Sequence, residues 1–112
     1  TIPLRDNPLR FNGNIYLLTG VSTFSSASDF AQCFKHYKMG TIIGQETGGW
    51  IVCYGDIISG ILPNTQLQVV ISHKLFYSIG AQKDDFHGVM PDIEISSEKA
   101  LDLTLDKIGK KI

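Results

Sequence analysis

Residues 21–30, VSTFSSASDF, place several hydroxyl groups and one carboxylate between an apolar stretch and a helical pattern. A hydroxyl at a helix N-terminus lies where backbone N–H groups and the helix dipole stabilise an anion. Acyl transfer needs such stabilisation for its oxyanion. The same residues also suit a plain helix start, because Ser26 and Asp29 match a capping box with Asp in place of Glu or Gln. Nucleophile and cap need the same helix start, so one does not exclude the other.

The elements around this stretch are predicted to be a strand, a helix and a second strand. Residues 14–20, NIYLLTG, are β-rich and apolar on both faces, as in a strand buried in a parallel sheet. Residues 26–38 carry apolar side chains at helical spacing, and Gly40 supplies the stop. Residues 41–44, TIIG, predict the second strand, which completes a right-handed βαβ unit.

The rest of the chain predicts shorter elements and a last helix. In chain order these are a tight turn at 45–50, a Pro-Asn turn at 63–64, a strand at 66–72 that continues extended, a polar loop at 81–88 and a short strand at 89–95. The last helix begins at Ser97 and Glu98, ends near Lys107, Lys110 and Lys111, and has Ala100, Leu101, Leu105, Ile108 and Ile112 on one face. The predicted class is α/β, with flanking helices and a mixed, mostly parallel sheet around the βαβ core.

Composition narrows the possible partners. The 112 residues, 43% hydrophobic and 19% charged, suit one core and one domain. A net charge of −1 without a basic stripe argues against nucleic acid, and the longest apolar run is far short of the roughly 20 residues that a membrane span needs. Cys33 and Cys53 allow a disulfide without implying one, and Cys33 is interpreted as a small buried hydrophobe. Without a CxxC pair, and with three scattered histidines, no metal site and no cofactor are predicted.

Four stretches occur in a fixed order along the chain: IYLLTGVSTFSSASDF, GTIIGQETGG, LPNTQLQVVIS and FHGVMPDIEI. This succession, from about Gly13 to Ile95, resembles the tail-specific, or C-terminal-processing, serine peptidases and their tricorn-core relatives. Each motif is weak alone, whereas the four in this order are fairly specific. The resemblance implies an α/β layer of the Clp protease–crotonase type. It also implies that residues 1–112 form the C-terminal portion of a catalytic domain.

The resemblance implies roles for individual residues as well. The family's nucleophile is the serine two positions after the threonine of its T-x-S motif, here Ser25, and the next residue, Ser26, gives its N–H to the oxyanion. The processing branch has a lysine base at the position that Glu46 holds in this chain. The tricorn branch has a glutamate shortly before G-x-x-P-D-I, and that position falls on Asp85, or on Asp84 if the loop is shifted.

Residues 45–50 allow two interpretations. In the first, these residues form a tight turn in which the Glu46 carboxylate is exposed to solvent. In the other, Glu46 lies near Ser25, because both turns follow the carboxyl ends of predicted neighbouring parallel strands, where sites collect in such sheets. The substrate-binding residues predicted on this basis are Gly48, Gly49 and Trp50. Trp50, Tyr54 and Phe76 either line a groove for peptide side chains or belong to the core.

The general base is not identified among the histidines. His36, His73 and His87 do not match the position of the family's histidine, which precedes the matched stretches together with the second oxyanion donor. His36 is expected on the exposed side of its helix, and His73 is expected to follow a strand in a structural role. The base is therefore expected from an upstream segment.

Two functions from different classes follow. The first is a serine endopeptidase with an acyl-enzyme on Ser25, whose partners are a peptide or protein substrate and the upstream part of the same domain. This segment alone is then expected to be inactive. The second is a non-catalytic relative that binds peptides or proteins, which Glu46 at the lysine position motivates. An independent α/β module without a proteolytic role is disfavoured, because the first strand needs neighbours. The resemblance suggests export to the periplasm or cell envelope, and the oligomeric state stays open.

Overall fold

A computed structural model of the protein describes residues 5–109. In chain order the elements are β1 (Tyr16–Thr19), α1 (Ser26–His36), β2 (Thr41–Gly44), β3 (Val52–Ile61), β4 (Gln68–Tyr77), β5 (Ile93–Glu94) and α2 (Ser97–Gly109). They confirm the predicted α/β class, with a parallel sheet and flanking helices.

The parallel sheet has the order β1-β2-β5, with β2 in the centre. Tyr16 pairs with Thr41 at one end of the β1–β2 ladder, and Thr19 pairs with Gly44 at the other. The central position explains why Ile42 and Ile43 of β2 are completely buried. The prediction of a first strand buried on both faces is wrong, because β1 lies at the sheet edge and its Leu18 is 39% exposed.

Helix α1 packs its apolar face against β2 and forms the main core. This core consists of Ala31, Phe34, Ile42, Ile51 and Val89, with Leu17 and Ala81 packed against it. The helix ends two residues earlier than predicted, with Tyr37 as its C-cap. Tyr37 and Phe30, which share the predicted helical spacing, are both exposed, and Cys33 is only half-buried. The buried face of α1 is therefore narrower than the face that its apolar residues predicted.

Helix α2 covers β1 and β2. Its buried residues are Ala100 and Thr104, and the Thr104 hydroxyl donates to the Ala100 carbonyl (2.7 Å). Leu101 and Leu105 of the predicted apolar face are more than half exposed. Ile112, Lys110 and Lys111 of that prediction lie outside the described residues.

Strands β3 and β4 form a long antiparallel hairpin as a sheet of their own, separate from the parallel sheet. The ladder runs from Val52 opposite Tyr77 to Ile61 opposite Gln68. The sequence predicted part of β4 but not β3. Most residues of the hairpin are exposed, so the hairpin packs only partly against the rest of the chain. The radius of gyration of the Cα atoms is accordingly 18.6 Å, whereas a compact chain of this length has about 13 Å.

Both cysteines are free thiols. Within residues 5–109, no group of histidine, cysteine and acidic side chains is arranged to hold a metal ion. The same part of the chain contains no helix of the length and apolarity needed to cross a membrane.

Candidate active site

Ser25 has an unusual backbone conformation directly before helix α1, with φ 54° and ψ −128°. A positive φ favours glycine, because other side chains crowd the backbone there. Strain of this kind costs about 1–3 kcal/mol and concentrates at functional sites. A sharp, strained turn between a strand and a helix is also how some hydrolases expose a nucleophilic serine.

Thr23 holds this turn in place through both its side chain and its backbone. The Gly20 N–H donates to the Thr23 hydroxyl oxygen (3.1 Å), and the Thr23 N–H donates to the Gly20 carbonyl (2.8 Å). The Thr23 carbonyl accepts two further hydrogen bonds, from the Gly49 N–H (2.9 Å) and from the Ser28 hydroxyl (2.8 Å). The threonine of the T-x-S motif therefore fixes the backbone that presents Ser25.

The Gly48–Gly49 turn packs tightly against the Ser25 turn. A side chain at Gly48 would collide with the Val21 carbonyl and the Phe24 ring, and one at Gly49 would collide with the Ser28 hydroxyl. Glycine is therefore required at both positions by close approach. The two turns lie together at one edge of the parallel sheet, as the order of the strands predicts.

A cleft of about 730 Å³ opens beside Ser25. The turns after β1 and β2 form one wall, and the base of the hairpin forms the other. The lining residues are Phe24, Ser25, Ser26, Asp29, Gly48, Gly49, Trp50, Cys53, Tyr54, Gly55, Asp56, Phe76, Tyr77 and Ser78. The three aromatic residues for which groove and core were alternatives, Trp50, Tyr54 and Phe76, are all exposed in this lining and do not belong to the core.

The start of helix α1 differs from the predicted capping box. Ser25 is the N-cap, Ser26 is the first helical residue, and no side chain caps the helix. The backbone supplies the first bonds instead, from the Ala27 N–H to the Phe24 carbonyl (3.1 Å) and from the Asp29 N–H to the Ser25 carbonyl (3.0 Å). The Ser26 N–H has no partner among residues 5–109. It is therefore available to an anion beside Ser25.

Glu46 does not line the cleft. Its carboxylate accepts a hydrogen bond from the Gly88 N–H (2.7 Å) and is half-buried. The neighbouring buried Thr47 accepts from the Val89 N–H (2.7 Å) and donates to the Gly49 carbonyl (2.8 Å). Together these bonds tie the turn after β2 to the segment before β5, so Glu46 is neither a free surface carboxylate nor a neighbour of Ser25 in the cleft.

Asp85 lies in the loop before β5 and bonds within that loop. Its carboxylate accepts from the Gln82 N–H (2.7 Å) and lies 3.9 Å from His87 Nε2. His87 Nδ1–H in turn donates to the Gly88 carbonyl (2.7 Å). Asp85 and the exposed Asp84 are not part of the cleft lining.

The other two histidines also make structural contacts. His36 packs edge-on against Tyr37 at the end of α1. His73 lies within β4 and not after a strand as predicted, and its Nδ1–H donates to the Asp56 carbonyl (2.7 Å). The cleft lining formed by residues 5–109 contains no histidine and no lysine.

The sequence profile of peptidase family S41 matches residues 3–95. The chain belongs to peptidase family S41. A solved structure with a similar fold is the crystal structure of mature CPAF, with a TM-score of 0.50, 18% sequence identity and 91% of this chain covered. This chain spans only 20% of that protein's length. None of the curated proteins matches it.

Family membership confirms the resemblance that the four stretches predicted. The structure also shows a role for the P-D-I motif that the sequence did not predict. The Asp92 carboxylate accepts from the Ile42 N–H (2.8 Å), and the Asp92 N–H donates to the Ile42 carbonyl (2.9 Å). This peptidase motif therefore anchors β5 to the central strand of the sheet.

Proposed function

We propose that this chain is part of a serine endopeptidase in which Ser25 is the nucleophile. The observation that carries the proposal is the strained conformation of Ser25 at the mouth of a 730 Å³ cleft, held by the Thr23 and Gly49 hydrogen bonds. A serine in such a turn keeps its hydroxyl exposed to a bound peptide, because its backbone is fixed from both sides.

In the proposed reaction the Ser25 oxygen attacks the peptide carbonyl carbon, and a base takes the hydroxyl proton. The carbonyl oxygen becomes an oxyanion, which the Ser26 N–H at the start of α1 stabilises. The bond from carbon to nitrogen then breaks, the amine leaves with a proton, and Ser25 is left as an ester. Water hydrolyses the ester and restores the serine.

The base in this proposal comes from a segment of the catalytic domain that precedes this one. The absence of histidine and lysine from the cleft lining within residues 5–109 supports this assignment. Residues 1–112 are then the C-terminal portion of the domain and are inactive by themselves. We also propose that the complete protein is exported to the periplasm or cell envelope, which fractionation of the producing cells tests.

The test is labelling of the complete protein with a fluorophosphonate, which reacts with activated serines. Ser25→Ala is expected to abolish the labelling. Ser22→Ala is the matched control, because Ser22 lies in the same stretch but does not line the cleft. Labelling that persists in Ser25→Ala excludes Ser25 as the nucleophile.

The second candidate is a non-catalytic member of the family that binds peptides or proteins. Glu46 favours it, since the family's lysine position is here a carboxylate engaged with the Gly88 N–H. This candidate predicts that peptides bind in the cleft and remain intact, and that the probe labels neither Ser25 nor another residue of the complete protein.

A further inference from the structure

The cleft beside Ser25 combines aromatic walls with negative charge. Its aromatic side chains include Trp50, Tyr54 and Phe76, and its charged residues are Asp29 and Asp56. No lysine or arginine among residues 5–109 lines it. Aromatic rings accept both the methylene stem of a long side chain and a cation above the ring face. The combination therefore suits an occupant that is apolar along its length and positive at its end.

The two carboxylates are not equivalent. Asp56 is already paired, because its carboxylate contacts the Lys74 ammonium and lies 4.0 Å from His73 Nε2. Asp29 makes no ion pair with the other described residues. The charge that remains for a ligand in this cleft is therefore that of Asp29.

Asp29 also lies at a useful position relative to Ser25. It is four residues further along, in the first turn of α1; its N–H donates to the Ser25 carbonyl (3.0 Å), and both residues line the cleft. Four residues correspond to about 6 Å along a helix axis. A lysine or arginine side chain can extend over that length from a backbone held at Ser25, whereas shorter side chains cannot.

We propose that the cleft receives a lysine or arginine side chain of the substrate next to the bond that is cleaved, and that Asp29 is the residue that determines this specificity. The proposal deepens the proposed peptidase function and rests on it. The substrate class is then a peptide or protein segment with a basic residue at the cleaved position.

The first test compares peptides that differ at one position, with lysine, its uncharged analogue norleucine, or glutamate. The complete protein is expected to cleave the lysine peptide with a kcat/KM about tenfold above that of the norleucine peptide, since a charged hydrogen bond is lost in the latter. Asp29→Asn should bring the two values together, and Asp29→Lys should favour the glutamate peptide. Glu98→Gln is the matched control, because Glu98 occupies the first turn of α2 and does not line the cleft. A wild-type protein that cleaves lysine and norleucine peptides equally overturns the proposal.

The second test separates specificity from catalysis. The same peptides are titrated into the complete Ser25→Ala protein, and binding is followed by fluorescence anisotropy at low and high salt. Tighter binding of the lysine peptide, weakened by salt and by Asp29→Asn, supports the role of Asp29 even where no cleavage occurs. Equal binding of lysine and norleucine peptides contradicts it. Selective binding without cleavage by the wild type would instead overturn the peptidase mechanism and leave the specificity intact.

Discussion

The Gly49 N–H donates to the Thr23 carbonyl over 2.9 Å and joins the turn after β2 to the turn that carries Ser25. The bond crosses from one strand end of the parallel sheet to the next. It makes the conformation of Ser25 depend on a residue that is distant in sequence. The architecture of the site is thus shared between two turns, neither of which forms it alone.

Gly49→Ala is expected to disturb the site directly. The new methyl group would meet the Ser28 hydroxyl and lie 2.9 Å from the Ser25 nitrogen, and overpacking of this kind costs about 1–3 kcal/mol. Thermal unfolding should show the loss of stability, and serine-probe labelling should fall with it. Gly60→Ala is the control, since no atom lies within 4 Å of a methyl group there. Equal melting temperatures for the two variants would contradict the close packing of the turns.

Thr47→Val is expected to lower the free energy of unfolding by about 1–3 kcal/mol, because the Val89 N–H loses its buried acceptor while the shape of the side chain is kept. Urea unfolding measures the change. Thr65→Val should have a much smaller effect, since Thr65 is exposed at the hairpin tip and accepts only a long bond of 3.5 Å from Leu67. A similar loss in both variants would show that the bond to Val89 is not what stabilises this part of the fold.

Glu46→Gln separates a structural carboxylate from a catalytic one. The glutamine oxygen can still accept from the Gly88 N–H, so stability and serine-probe labelling should remain close to those of the wild type. Glu46→Ala removes the acceptor and is expected to lower stability by about 1–2 kcal/mol. A loss of labelling in Glu46→Gln with an unchanged melting temperature would assign Glu46 to the chemistry.

Trp50 is the only tryptophan of the chain and lines the cleft with 52% of its surface exposed. A peptide bound beside Ser25 should cover the indole and shift its emission to shorter wavelength, because the ring loses contact with water. Fluorescence titration of the complete Ser25→Ala protein with peptide measures this shift. The same titration with Trp50→Phe added is the control, and the shift should then disappear. An emission unchanged at saturating peptide would place the peptide elsewhere.

The sequence predicted the part of the site that depends on neighbouring strands. The apolar runs of β1 and β2 and the periodicity of α1 were sufficient to bring Ser25 and Gly49 to the same sheet edge. The capping box was wrong, because Ser25 takes the N-cap position with a positive φ. No local sequence pattern predicts this strain, because the hydrogen bond from the Gly49 N–H to the Thr23 carbonyl, which holds the turn, joins residues that are far apart in sequence.

The second wall of the cleft could not be predicted, because β3 was not recognised as a strand. Gly55, Asp56 and Gly60 interrupt its apolar residues, and Asp56 has a φ of 52°. The strand is stabilised by its long ladder with β4, which is a non-local property. The position of Glu46 was equally out of reach, since its partner Gly88 lies 42 residues further along the chain.

The identity of the reactive serine tests the account most directly. The complete protein is labelled with a fluorophosphonate, digested, and examined by tandem mass spectrometry for the modified residue. The account predicts a single adduct on Ser25, retained in Ser22→Ala and absent from Ser25→Ala. An adduct on another serine, or one that survives in Ser25→Ala, would contradict it.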